Sequence, residues 1–238
     1  MRGLILSVWL LIPALLGAYH YGPGQTRMEL DATQDSLRAA RQCIASEDYK
    51  AAVEHFNDAI SRLPKDRVTE ERRIRVERAK AQMLARQLPA AYNELVVLVP
   101  ELQANDKTDP KLLADGEAAL ASAKYYLTWL MRLEGKPRAE WEPEIDGSRQ
   151  LYRLLAEKAR EKSDDAQLLE REEDLEAAVR LARLDLSQLQ ALPLPSQCQG
   201  CCSGNCKGKG KNKNPNPSKS KSDARGASAG PPPDDHGN

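Results

Sequence analysis

The sequence predicts an all-α protein, and three observations predict it. Apolar residues between Leu30 and Leu192 recur at intervals of three and four, the period of one helix face. Clusters of Pro, Gly and Asp interrupt that pattern at helix-length intervals, and no stretch keeps the two-residue alternation of a half-buried strand. The helical body is therefore placed at 30–192. An apolar segment at 1–24 precedes it and a polar, Cys-, Lys- and Pro-rich tail at 193–238 follows.

The first helix is expected over Thr33–Ser46, with Leu37, Ala40 and Ile44 on one side, and Glu47-Asp48 turns the chain into the second. That second helix, Tyr49–Leu63, carries Ala52, Phe56, Ala59 and Ile60 on one stripe and is ended by Pro64. A related pattern returns 39 residues later over 72–105, with Ala79, Ala91, Leu95 and Leu98 matching Ala40, Ala52, Phe56 and Ala59. It requires an insertion near Lys65–Thr69. Pro89 then falls in the first turn of its helix, where a missing N–H costs nothing.

Lys111–Leu133 reads as one long packed helix, with Leu113, Leu120, Ala123, Leu127 and Leu130 at spacings of seven, three and four. Gly135-Lys136-Pro137 breaks it. A helix over Ile145–Lys162 carries Leu151, Leu154 and Leu155. The last helix, Asp165–Leu192, has Leu168, Leu175, Val179, Ala182, Leu186 and Leu189 at heptad-like spacing and is expected to cap the stack. Pro193 and Pro195 end the fold. The low-complexity residues beyond are expected to be disordered, since apolar burial there cannot offset an ordering cost of about 1–2 kcal/mol per residue.

Tyr49, Ala52, Phe56, Ala59 and Pro64 stand at intervals of three, four, three and five, and with Ala40 they make residues 33–66 resemble a tetratricopeptide repeat. Ser36 and Cys43 stand where that family commonly has Trp and Tyr, and in the weaker copy at 72–105 Arg78 replaces the usual Leu. The resemblance covers about 70 residues and implies stacked antiparallel helix pairs around a groove that holds another polypeptide. Small membrane-anchored bacterial proteins of this family, which assemble with larger envelope complexes, are the company it suggests. The family lines its groove with the first helix of each pair, which here places Gln34, Arg41, Arg73 and Lys80 on it. Three cations would favour an acidic peptide or a free C-terminal carboxylate.

Arg2 precedes an apolar run from Leu4 to Ala18, closed by Tyr19 and Tyr21, and no charge follows until Arg27. The asymmetry predicts an N-terminus in the cytoplasm and the rest exported. As a helix, residues 4–21 would span about 27 Å at ~1.5 Å per residue, just short of a hydrocarbon core. An uncleaved anchor in a bacterial inner membrane, with the helical domain on the extracytoplasmic side, is the reading adopted. A cleaved signal peptide yielding a secreted or periplasmic protein, and a buried cytosolic helix, are the alternatives.

Net charge is zero, but seven Lys or Arg and three Asp from Cys198 onward leave the tail near +4 and the remainder near −4. Lys207, Lys209, Lys211 and Lys213 form either a solubilising tail or an arm for an anionic surface. With no aromatic residue among them, nucleic acid is not expected. Cys198, Cys201, Cys202 and Cys206 could bind zinc or copper(I), form local or intermolecular disulfides, or have no defined role. The three histidines are far apart, and no neighbouring nucleophile, base and acid or Gly-rich phosphate loop points to catalysis. The Glu- and Arg-dense region Arg67–Arg86 is expected to be a solvated face laced with pairs three and four apart.

These residues predict a non-enzymatic adaptor that binds another protein and needs no cofactor. Two rivals remain: a thiol- or metal-handling envelope protein presenting the Cys-rich tail, and a structural protein that self-associates through its last helix.

Overall fold

The computed structural model describes residues 25–200 together with Trp9 and Ile12, and among the described residues the fold is all-helical. Over residues 25–200 eight helices follow one another: α1 (Gln25–Ala45), α2 (Tyr49–Arg62), α3 (Val68–Leu84), α4 (Leu88–Gln103), α5 (Pro110–Leu133), α6 (Arg138–Glu161), α7 (Asp165–Arg183) and α8 (Leu186–Ala191), with a 3-10 turn at Ser196–Cys198. Trp9 and Ile12 are helical and exposed; the rest of the apolar segment at 4–21 lies outside the described residues. Among the described residues no helix is long and apolar enough to cross a membrane.

The chain divides into two compact units, Met1–Ile74 and Arg75–Asn238. In the first, α1 and α2 form an antiparallel hairpin around Ala40, Ala52, Val53, Phe56 and Ala59, all buried. Tyr49 and Pro64 are half-buried at its ends. Ser36 donates to Asp58 across the hairpin at 2.6 Å, and Arg62 donates to the same carboxylate at 2.8 Å. Ser36, with Arg62 assisting, holds the Asp58 carboxyl below its usual range. The position where the repeat pattern would place an aromatic is thus used for a polar tie.

The second unit is built around α5. Its residues Ala119–Ala123 and Tyr125–Leu130 are buried on every side, which a helix can only be when neighbours surround it. Helices α4 and α6 flank it. Val76 of α3 lies 3.7 Å from where a side chain on Gly116 would begin, and Arg132 reaches α7. Within the second unit α5 thus touches α4 and α6 beside it and also α3 and α7 beyond them. Gly116 lets the helices approach closely, since an added Cβ would stand 3.1 Å from the Leu102 side chain and require it to shift. Gly147 of α6 similarly leaves room for the Lys124 side chain to pass.

The turns share one backbone solution. Glu47, Arg86, Gly135 and Ser163 all have positive φ, and each following N–H bonds the carbonyl five residues before it. This is the left-handed termination that closes a helix and redirects the chain. Glu47 and Arg86 are 39 residues apart (86 − 47), the offset between the two sequence patterns. Ala79, Ala91, Leu95 and Leu98, the partners of the first hairpin's core residues, are likewise buried.

Several boundaries differ from the sequence reading. Helix α1 begins at Gln25, eight residues before Thr33 (33 − 25). Helix α6 begins at Arg138, seven residues before Ile145 (145 − 138), and Pro143 lies inside it. The helix expected over 165–192 is broken: α7 ends at Arg183, Leu184 is extended, and Asp185 starts α8 with a reciprocal cap to Gln188. The buried stripe on α7 is Asp174, Ala177, Ala178 and Leu181, whereas Leu168, Leu175 and Val179 are half-buried. The described fold also continues past Leu192, since Pro195, Gln197 and Cys198 are buried.

Candidate functional surface

The residues expected to line a groove fall in both units: Gln34, Arg41 and Arg73 in the first, Lys80 in the second. Gln34, Arg38 and Arg41 share one exposed stripe of α1, since four and three residues separate them. Arg38 pairs with Asp35 at 2.8 Å, and Arg41 and Arg73 have interaction partners of their own. The stripe is cationic and solvent-facing, but its charges are already engaged.

The Glu- and Arg-rich stretch of α3 corrects the sequence reading. Arg67 does pair locally with Glu70, at 3.6 Å. Arg75 and Arg78, however, cross to α4 and converge on Glu94 at 2.5 and 2.8 Å, with Arg75 also 3.5 Å from Glu101. All three converging side chains are mostly buried. They form a charged seam inside a hairpin where a solvated face was expected, because α4 offers a carboxylate directly opposite the two guanidinium groups.

Two further polar clusters stitch the second unit, and the sequence reading missed both. Glu117, 1% exposed on α5, accepts from Gln103 at 3.1 Å and from Lys158 of α6 at 2.8 Å. Glu144 of α6 accepts from Tyr92 of α4 at 2.9 Å and from Lys124 of α5 at 2.7 Å, and the Lys124 ammonium sits 5.7 Å from the Tyr92 ring centre. Burial, aided by Glu144, pushes the Tyr92 hydroxyl well above its ordinary range. Ser122 and Tyr152 are paired at 2.9 Å, and Ser148 donates to the Ala121 carbonyl. A charged residue within an otherwise apolar run such as 112–133 is the sequence signal that could have found Glu117, because a buried carboxylate requires a partner.

No family model, curated protein or solved structure matches the chain. The surfaces must therefore be read from their own chemistry. The polar clusters tie neighbouring helices to one another, so they serve to hold geometry.

Cys198 does not join a thiol cluster among the described residues. It is 1% exposed, and its Sγ donates to the Tyr126 carbonyl at 3.5 Å. Cys201, Cys202 and Cys206 lie outside the described residues. Among the described residues no group of His, Cys, Asp and Glu is arranged to hold a metal.

The covering of Cys198 defines a further surface. Helix α8 and the 3-10 turn both pack on α5, and Leu189 and Cys198 join the same apolar cluster as Tyr125, Tyr126 and Trp129. Between these anchors the strap is open to solvent, with Leu186, Leu192 and Leu194 exposed. Arg132 fixes its root by donating to the carbonyls of Leu181 and Leu184, while the guanidinium lies 4.7 Å from the Trp141 ring centre.

Proposed function

We propose that this protein is a stacked-helix scaffold of tetratricopeptide type that holds another polypeptide, tethered to or exported across a bacterial membrane by its N-terminal segment. The observation that carries the reading is the repeated hairpin: the same left-handed turn at Glu47 and Arg86, the same 39-residue offset, and buried small and bulky side chains at matching places in both hairpins. Hairpins of this kind expose long faces, and interhelical ties such as Arg75–Glu94 and Lys124–Glu144 hold them rigid. A rigid surface loses little ordering entropy when a partner docks, which suits it to binding.

The stripe Gln34, Arg38, Arg41 on α1 is the first surface to test, and its cations favour an acidic segment. The membrane reading rests on the charge asymmetry around residues 4–21, with Arg2 before the run and no charge until Arg27. Affinity capture of the full chain from detergent-solubilised membranes, with mass spectrometry of bait and prey, tests both. A specific prey lost on Arg38→Glu and Arg41→Glu substitution is expected, with the bait retaining residues 4–21. Identical prey from wild type and the double variant would remove the α1 stripe from the proposal. Recovery of the bait in the soluble fraction without those residues would replace the anchor by a cleaved signal.

A further inference from the structure

We propose that residues 185–198 form a releasable strap, and that the aromatic face of α5 beneath it is a docking slot which the chain fills with its own segment until a partner displaces it. This inference rests on the scaffold reading for the identity of the partner but not for the strap's release. Several observations carry it.

Helix α8 and the 3-10 turn pack on α5, and Leu189 and Cys198 lie in one apolar cluster with Tyr125, Tyr126 and Trp129. Removing the strap would uncover a contiguous face that includes Tyr125 and Tyr126, whose rings meet edge to face with centres 5.2 Å apart. An exposed aromatic face of that kind is a ready interaction surface. The strap itself is lightly held: α8 has six residues, the linkers on either side of it are extended, and the side chains seated in the core are Leu189, Pro195, Gln197 and Cys198. Segments with few buried anchors open at free energies below that of global unfolding. Arg132 and the Asp185–Gln188 cap mark the hinge, because they fix the point at which α7 stops and α8 begins.

The strap's chemistry states what can replace it. The slot accepts a leucine-sized apolar side chain and, nine residues later (198 − 189), a small side chain able to donate to the Tyr126 carbonyl. The matching partner is an apolar, partly extended segment of another polypeptide with that pattern.

The test uses the full chain with Cys43, Cys201, Cys202 and Cys206 replaced by serine, so that Cys198 is the sole thiol. Labelling by N-ethylmaleimide is followed against urea, beside helix content by circular dichroism. A strap that opens independently gives native-state labelling with a much shallower urea dependence than global unfolding. Leu189→Ala then speeds labelling by about tenfold or more while the circular dichroism transition keeps its slope. The labelled chain, locked open, gains bis-ANS fluorescence, and excess synthetic peptide 185–200 with Cys198→Ser suppresses that gain where the same peptide with Leu189→Asp does not.

Labelling that follows global unfolding in both chains would overturn the strap. A released strap whose slot ignores the wild-type peptide would overturn the docking slot. Both results are independent of whether affinity capture finds a partner, so failure of the scaffold reading is told apart from failure of this one.

Discussion

Arg132 on α5 donates to the carbonyl oxygen of Leu184, the residue that caps the end of α7. Its second terminal nitrogen reaches the Leu181 carbonyl. That carbonyl would have bonded the Asp185 N–H had the helix continued, but Gln188 takes the Asp185 N–H at 2.9 Å. The helix stops because one polar group on each side of the break has found a better partner. Arg132→Met keeps the apolar stem and strands both carbonyls, so a loss of about 2–4 kcal/mol is expected in urea denaturation. Lysine, which cannot fork, should recover less than half of it. A loss under about 0.5 kcal/mol for methionine would show that water satisfies those carbonyls.

Lys158 and Glu117 should behave asymmetrically. Lys158→Ala leaves a deeply buried carboxylate with Gln103 as its remaining partner and should cost about 2–4 kcal/mol, whereas adding Glu117→Gln to it should restore most of the loss. A double-mutant cycle by chemical denaturation reads the coupling directly. Additive effects would show that the two side chains do not depend on each other.

Phe56 is fully buried between α1 and α2, and Phe56→Ala should destabilise the first hairpin by about 3–5 kcal/mol. Gly116→Leu in the second unit should cost about 1–3 kcal/mol, because the added side chain starts 3.1 Å from Leu102. Hydrogen exchange resolved by peptide would report whether each loss stays in its own unit.

Stability should fall at alkaline pH. Burial pushes the Tyr125 hydroxyl up to about 12, and Tyr126 and Tyr152 lie well above the ordinary value of 10. A raised folded value means the native state holds its proton where the unfolded chain has lost it. The contribution is complete below pH 10 and is lost as pH climbs from 10 through about 12. Absorbance at about 295 nm, which reports tyrosinate, should therefore rise together with the loss of helical circular dichroism. Tyrosine ionisation completed before any helix is lost would contradict the burial.

Glu47 and Ser163 sit in left-handed turns that glycine adopts without strain. Glu47→Gly and Ser163→Gly should each raise stability by about 0.5–1 kcal/mol, measured by thermal or urea unfolding. Destabilisation by either would mean that the side chain makes a contact worth more than the backbone strain.

The fold class was legible because helix periodicity is local. Ala40, Ala52, Phe56 and Ala59 lie on the stripes their spacing predicted, and the 39-residue offset is the distance between two equivalent turns. The break at Leu184 was not legible, since it depends on Arg132, which lies 52 residues away in the chain. Nor was the start of α6 legible, seven residues before Ile145 (145 − 138), because its first turns carry Trp141 and Pro143 and no leucine to mark the apolar period. Arg75 and Arg78 misled for another reason: their neighbours in sequence offer local partners, while the stronger one, Glu94, comes from the next helix. The buried seat of Cys198 had no counterpart in the sequence pattern, which groups it with Cys201, Cys202 and Cys206.

The corners of the hairpins, finally, are places to attach things. Glu47, Arg86, Gly135 and Ser163 reach one backbone shape with four different residue types, and all four are exposed. The hydrogen bonds behind the corner, and not the side chain upon it, set the angle. Fluorophores or spin labels mounted at Glu47, Arg86 and Ser163, where a side chain already occupies the left-handed shape, would act as rulers for internal distances, whereas Gly135 is kept because a side chain there is strained.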